Sequence, residues 1–345
     1  MLLSIGIKAL NEQRRIANSI ASALQVANKF SGEVILADCA STDQTVQIAS
    51  SYPIRIVRMA APEERSCGAG AQLAYQESKG QFFYLMDGDM VLNSDAAERF
   101  MEFLNKNPEY AGVGGRTKEL VLTTHEFRIR AKSEEMRQCT SSIDVDRLDG
   151  GGLYRRAAIE SVGYFADQNL KAFEEFELGA RLLTNGWKLA RLDVTAVEHF
   201  GHDVPSYSLL WTRFVSGYAC GAGQVFRASI GKATFLRVVK NLAHIKYSLA
   251  VCSASLTSAF IAALYPWSGL AFVIAMLGSG IILLSFRRQS LRLGVFSLVA
   301  WILGSIAFLR GALWPRQDPF RVIQHEAIAT KRTEDLKPMS GTCDR

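Results

Sequence analysis

Phe82-Phe83-Tyr84-Leu85-Met86-Asp87-Gly88-Asp89 is an apolar run that ends in two aspartates one residue apart. Its length and composition are those of a buried strand. An unpartnered buried carboxylate is costly, so acids at a strand end face a cleft and share a cation. In open α/β sheets that carboxyl edge is where ligands bind. Val34-Ile35-Leu36-Ala37-Asp38-Cys39-Ala40-Ser41-Thr42-Asp43 has the same build: apolar run, acid, polar turn. Asp38 stands directly at the strand end, whereas Ser41, Thr42 and Asp43 also suit ordinary turn and capping chemistry. Two acid-tipped strands point to a nucleotide-plus-metal site.

Working outward, Leu3–Lys8 reads as a first strand, too short an apolar run and too poor in leading basic residues for a signal peptide. Asn11 is placed to cap a helix carrying Ile16, Ile20 and Leu24, and Ser41 with Gln44 to form a capping box for a helix through about Ser51. Ile54–Arg58 is a third strand, Ala69–Ser78 a helix, and Asn93 or Ser94 opens a helix containing Phe100, Phe103 and Leu104. Strand-helix alternation at this spacing predicts an α/β fold, a mostly parallel sheet with helices on both faces. Residues 116–149 are polar, with an amphipathic helix expected around Glu126–Arg137. Asp149-Gly150-Gly151-Gly152 calls for a backbone path open to glycine. Helices are expected near Arg155–Ser161 and over Phe173–Leu183, and a strand at Leu189–Leu192 leads into Glu198-His199-Phe200-Gly201-His202.

Beyond Ser206 the character changes. Phe235, Val238, Val239, Leu242 and Ile245 form an apolar stripe opposite Arg237, Lys240 and Lys246, the pattern of a helix lying on a membrane surface. Three apolar stretches follow, at about 247–265, 267–286 and 291–309, each with the roughly 20 residues of a membrane-spanning helix. Residues 1–203 carry a net charge of −5, whereas residues 204–317 hold 11 Lys and Arg and no acid. Basic residues beside apolar runs fit an anionic membrane surface, not a nucleic-acid groove, and nucleic acid is not an expected partner. The six cysteines are scattered without a C-x-x-C pair, which argues against a zinc ribbon or a disulfide framework and fits a reducing compartment.

These residues resemble a family 2 glycosyltransferase of the GT-A fold over residues 1 to about 205. The matching motifs are Leu10-Asn11-Glu12, the Asp38-x-x-Ser41-Thr42-Asp43 turn, Asp87-x-Asp89, Gly151-Gly152-Leu153-Tyr154-Arg155-Arg156, Gly163-Tyr164-Phe165, Glu174-Glu175-Phe176-Glu177-Leu178-x-x-Arg181, Gly186-Trp187-Lys188 and His199. The resemblance implies that Asp38 contacts the nucleotide base, Asp87 the ribose or diphosphate side, and Asp89 a Mn²⁺ or Mg²⁺ ion. It also implies Asn11 and Glu12 on the nucleotide-sugar side, Gly151, Gly152 and Glu174 on the acceptor side, and His199 as a further metal ligand, His202 being the weaker candidate. The chain departs from the family at Glu174-Glu175, where Glu-Asp is frequent, at Ala71-Gln72, where Arg-Asn is frequent, and at Cys39-Ala40. Gln224-Val225-Phe226-Arg227-Ala228 only loosely matches the Q-x-x-R-W motif of processive synthases, and its missing tryptophan disfavours processivity.

The helix beginning near Phe173 can be read on its own. Glu174, Glu177 and Arg181 share one face, expected to be solvated, with Glu177 and Arg181 able to pair. Glu175 shares its face with Leu178 and Leu182, and a carboxylate at the mouth of an apolar face acquires the raised pKa of a general base.

The organisation expected is a catalytic domain over 1–205, a linker and interfacial helix over 206–246, a membrane region of two to three helices over 247–312, and a polar tail over 313–345. The expected activity is inverting transfer from a nucleotide-diphosphate sugar, a UDP-sugar first among them, to a hydroxyl of a lipid-linked or saccharide acceptor, with Glu175 as base. The rivals are a polyprenyl-phosphate sugar synthase, whose acceptor needs no base, and an inactive membrane scaffold of the same fold. The catalytic domain is expected in the cytoplasm at the inner membrane of a multi-pass protein. Three crossings are the expected topology. The alternative lets 291–309 re-enter or lie along the interface and returns the tail to the cytoplasm.

Overall fold

The computed structural model describes residues 1–121, 124–125, 128–129, 144–201 and 204–330. The helix expected around Glu126–Arg137, His202 and the end of the tail from 331 lie outside the described residues. Nine strands form one sheet: β1 Leu3–Ala9, β2 Glu33–Asp38, β3 Arg55–Met59, β4 Phe82–Asp87, β5 Met90–Leu92, β6 Tyr110–Glu119, β7 Gly152–Arg155, β8 Lys188–His199 and β9 His325–Ile328, in the order β5-β8-β6-β7-β4-β1-β2-β3-β9. The strands β4-β1-β2-β3 are parallel, as expected, and β8 runs parallel to β6. β7 is antiparallel to both β4 and β6.

Alternation along β4 builds the two layers. Tyr84 and Met86 point to one face with Ile16 and Ile20 of α1 (Ile16–Lys29) and Phe100 and Leu104 of α4 (Ser94–Lys106). Phe83 and Leu85 point to the other, with Leu73 of α3 (Cys67–Gln76), Ile159 of α5 (Arg156–Ser161) and Leu178 and Leu182 of α6 (Glu174–Thr184). Both faces are covered, so the central strands are apolar except for residues near their ends, such as Ser4 and Lys8 of β1 and Glu33 and Asp38 of β2. The Asn93 side chain accepts from the Asp95 and Ala96 amides at 2.9 and 3.2 Å, capping α4 as the sequence predicts.

Two expected caps are different. Asn11 caps no helix; it has a positive φ of 60° and its Oδ1 accepts from the Thr42 amide at 2.8 Å, tying the first loop to the second. Ser41 and Gln44 form no capping box. Asp43 instead accepts from the Thr45 amide at 3.0 Å at the start of α2 (Thr45–Ala49), and Ser41 accepts from the Asn11 amide at 2.9 Å.

The segment after β8 folds into α7 (Ser206–Val215), α8 (Gly221–Ser229), α9 (Phe235–Asn241) and three long helices, α10 (Ala243–Leu264), α11 (Pro266–Arg288) and α12 (Leu291–Leu313). All three are long and apolar enough to cross a membrane. The expected interfacial helix is broken at Leu242, whose backbone is extended. Its stripe turns inward, with Val238, Leu242 and Ile245 buried against Phe176, Val225 and Phe308. Gln224 and Arg227 serve packing here: Gln224 Oε1 accepts from the Lys171 amide at 2.9 Å, and Arg227 donates to the Ala312 carbonyl at 3.1 Å.

After α12 the chain returns to the α/β domain. Arg316 pairs with the buried Asp167, Arg321 with Glu64 at 2.9 Å, and Gln76 bonds the Ile323 amide at 3.0 Å. β9 then pairs antiparallel with β3. Residues 325–328, within the stretch expected as a polar tail, thus form an edge of the sheet. Were all three long helices to cross a membrane, this stretch would lie on the side opposite residues 1–246.

Gly223 is where α8 meets α12: a Cβ there would lie 1.9 Å from the Phe308 carbonyl oxygen. Gly223→Ala should cost about 1–3 kcal/mol, as overpacking does, read as a lowered unfolding midpoint of the detergent-solubilised protein.

Candidate active site

Parallel register sets the site in a row. Ala9 of β1 pairs with Asp38 of β2, and Lys8 with Asp87 of β4, so the three strand ends bring Lys8, Asp38 and Asp87 to one edge. Asp38 is fully buried, accepts from the Ser41 amide at 3.0 Å, and has the Arg58 guanidinium 3.5 Å away. Gly88 lets the turn after β4 pass against Ala9 and Glu12, where a Cβ would come within 2.9 Å of the Ala9 methyl.

Lys8 is the residue that sequence reading missed. Its ammonium pairs with Asp87 at 3.2 Å and with Glu174 at the start of α6. Burial alone would lower its pKa, but the two carboxylates outweigh burial and hold it well above the ordinary lysine value. A lysine in a strand reads as exposed, and only the partners brought from residues 87 and 174 make this one interior.

The acids are crowded. Burial, then Asp89 and Asp87, push the Glu12 carboxyl up to about 8. Burial also raises Asp87, with Asp89 and Glu174 adding to the rise against the pull of Lys8. On the neighbouring edge, β8 pairs His199 with both Met90 and Glu119. His199 Nε2 lies 3.1 Å from Asp89, and Nδ1 lies 2.6 Å from the buried Glu119. Burial would lower the imidazole, but the hydrogen bonds to Asp89 and Glu119 outweigh it and raise the pKa to about 10. Glu119 also went unrecognised in the sequence, because it ends a glycine-rich strand that lacks alternation. Among the described residues no three His, Cys, Asp or Glu side chains converge on one metal position. Asp89 and His199 together offer one oxygen and one nitrogen donor in an acid-rich pocket. That set fits a divalent cation whose remaining ligands come from a bound diphosphate.

α6 delivers two glutamates from a left-handed Phe173 (φ 68°). Its charged face is interior, contrary to expectation. Glu174 and Glu177 are buried, and Arg181 forms a forked pair with Glu177 while donating to the carbonyls of Tyr164 at 2.7 Å and Phe165 at 3.1 Å. The reason is the 162–166 loop, which folds over this face and needs its carbonyls satisfied. Glu175 is half-buried beside the apolar face, as read from the sequence. Burial, then the Glu174 carboxylate, raise its pKa to about 8. Tyr84 and Tyr154 are buried near it with hydroxyls that lack a hydrogen-bond partner among the described residues, and its charge adds to the burial that pushes both phenols up. Gly151 (φ 99°) passes over Leu85 and Tyr84 at the sheet edge, and Gly152 opens β7. Asn11 and Asp43 hold the loops together, Asn11 Oδ1 accepting from the Thr42 amide and Asp43 from the Thr45 and Gln13 amides.

Comparison with known proteins gives this arrangement its context. Residues 4–163 match the family model described as "Glycosyl transferase family 2". The O-antigen chain rhamnosyltransferase WbaN of Salmonella anatum is 23% identical over 196 residues, covering 53% of this chain and 61% of its own length. The poly(ribitol-phosphate) beta-N-acetylglucosaminyltransferase TarS of Staphylococcus aureus is 24% identical over 197 residues, 54% of this chain and 33% of the relative. This chain therefore spans from a third to about three fifths of those two relatives. The mannosyltransferase PcManGT from Pyrobaculum calidifontis, solved with GDP-Man and Mn²⁺, has the same fold, with a TM-score of 0.60, 17% identity, and coverage of 90% of this chain and 87% of its own.

Removing Lys8 leaves two carboxylates facing each other at the sheet edge. Lys8→Met should destabilise the protein by about 3–5 kcal/mol in chemical unfolding, the cost of breaking a buried pair. Adding Glu174→Leu should recover part of that loss, and the difference measures their coupling.

Proposed function

We propose, for a chain whose residues 4–163 form a family 2 glycosyltransferase domain, inverting transfer of a sugar from a nucleotide-diphosphate donor to a hydroxyl of a lipid-linked acceptor at a membrane. The observation that carries this reading is Glu175: a carboxyl raised to about 8, with no ion-pair or hydrogen-bond partner among the described residues, on the helix that also brings Glu174 to Lys8, the partner of Asp87. A base with a pKa near the working pH takes a proton most effectively.

In this reading Asp38 receives the base of the nucleotide, with Asn11 and Glu12 shaping the loop beside it. Asp87 faces the ribose or diphosphate, and Lys8 offsets negative charge at that end of the cleft. Asp89 and His199 would hold Mn²⁺ or Mg²⁺, with Glu119 fixing the imidazole through Nδ1 so that Nε2 faces the ion. When bound, the ion supplies Lewis-acid stabilisation of the departing diphosphate. Glu175 takes the proton of the acceptor hydroxyl as its oxygen attacks the anomeric carbon from the side opposite the leaving group. Gly151, Gly152 and Glu174 border the acceptor. A UDP-sugar is the first donor to test. Lipid linkage of the acceptor is supported by the apolar helices that follow the domain, and the cytoplasmic face of the inner membrane by the supply of nucleotide sugars there.

Two measurements test this. Glu175→Gln should lower kcat by roughly 10²–10⁴ with donor affinity nearly unchanged. In the parent protein kcat/KM should rise with pH and level off above about 8, because only the ionised form accepts a proton. An unimpaired Glu175→Gln enzyme would shift the reading to a phosphate acceptor that needs no base. Separately, Asp89→Ala should abolish Mn²⁺-dependent binding of the donor, followed by calorimetry. Full donor affinity in excess EDTA would remove the metal from the reading.

A further inference from the structure

The three long helices differ in what they touch. α10 and α11 form an antiparallel hairpin, with Gly269 so close to Ala262 that a Cβ would lie 2.5 Å from its Cα. Away from the α/β domain their surfaces are apolar and open, with Phe260, Trp267 and Phe286 at 67%, 84% and 87% exposure. At the usual rise per residue, helices of 22 and 23 residues are about 33–35 Å long, enough to cross the ~30 Å hydrocarbon core. α12 packs on the near ends of both, with Gly294 against Ser285 of α11 and Trp301 stacked on Tyr247 of α10 at 4.3 Å, and it alone also rests on the rest of the protein at both of its ends. Near its start Phe296 packs edge-on against His125 and Tyr207; near its end Phe308 packs on Phe226, and Gly311 meets the Cys220 carbonyl. Its outward residues, Leu291, Ile306, Leu309 and Leu313, are more than half exposed.

The strap over residues 316–330 fixes the direction of return. Since it is bonded to Asp167, Glu64 and β3, the chain must leave and re-enter the side occupied by the α/β domain between Leu242 and Trp314. Only an even number of crossings allows that.

We infer that α10 and α11 cross the bilayer as a hairpin, and that α12 lies along the anionic leaflet on the side of the α/β domain. The inference rests on the membrane reading proposed above. Charge supports the leaflet: Lys240, Lys246, Arg287, Arg288 and Arg292 all stand at the near ends of these helices, the turn Tyr265–Gly269 is uncharged, and residues 204–317 contain no acid. Basic flanks on one side are what a leaflet of anionic lipid and the positive-inside preference both select. The arrangement sets the carboxyl edge of the sheet on a helix bedded among lipid headgroups, where a lipid-borne acceptor hydroxyl arrives.

The test uses the full chain with its native cysteines replaced and single cysteines introduced by Arg99→Cys, Ser268→Cys or Val322→Cys. Membrane vesicles of both orientations are labelled with an impermeant maleimide. Positions 99 and 322 should label from the same face and position 268 from the opposite one. Labelling of 322 from the face opposite 99 would overturn the even count, and labelling of 268 together with 99 would overturn the crossing hairpin. Nitroxide depth at positions 291, 306 and 313, in bilayers containing phosphatidylglycerol, should be uniformly shallow. A deep value at 306 between shallow ends would mean that α12 crosses. Release of the unlabelled protein by alkaline wash would instead remove the membrane reading itself, an outcome distinct from a wrong crossing count.

Discussion

The ammonium of Lys8, wedged between Asp87 and Glu174, is the interaction on which the carboxyl edge of the sheet depends. Five acids from three separate stretches of chain meet there: Glu12, Asp87, Asp89, Glu174 and Glu175. Mutual repulsion in a half-dry cleft would splay the loops that carry them. Lys8 neutralises the pair that joins β4 to α6, and His199, itself braced by Glu119, neutralises Asp89. What is left over is carried as raised pKa values on Glu12 and Glu175. The edge is therefore electrostatically incomplete, and a site with unspent negative charge is suited to a cation and to proton transfer.

The parts of this edge that were legible in the sequence are those with local signals. β1, β2 and β4 are short apolar runs whose acids mark their ends, and Asn93 announces α4. The phase of α6 put Glu175 correctly at the apolar boundary. The same phase misjudged Glu174, Glu177 and Arg181, because a charged helical face reads as solvent-facing unless the loop that will cover it is known. Lys8 and Glu119 were opaque for the same reason: each is polar in a strand, and each is explained only by a partner more than 75 residues away. β6 was missed through its glycines, and β9 because four residues beyond a long apolar region carry no strand pattern of their own.

The three long helices show how composition fixes less than contact does. α10, α11 and α12 are nearly indistinguishable by length and hydropathy. They separate only in their contacts with the rest of the protein: Gly223 and Gly311 press α12 onto α8 and the turn before it, whereas Gly269 presses α11 onto α10 and Gly294 presses α12 onto the end of α11. Small residues let helices approach closely, and here they decide which helix belongs to the protein surface.

The lateness of β9 has a consequence for biogenesis. Until residues 325–328 leave the ribosome, β3 is an open edge strand, a template for pairing with any other extended chain. At ordinary elongation rates that interval lasts on the order of tens of seconds. The α/β domain can be sealed only after the intervening helices have been synthesised and α12 has brought the chain back. If α10 and α11 cross a bilayer as inferred, a molecule whose hairpin inserted in the wrong way would present its β9 on the wrong side, keep its β3 edge bare, and stay exposed to the chaperones and proteases that survey unfinished sheets.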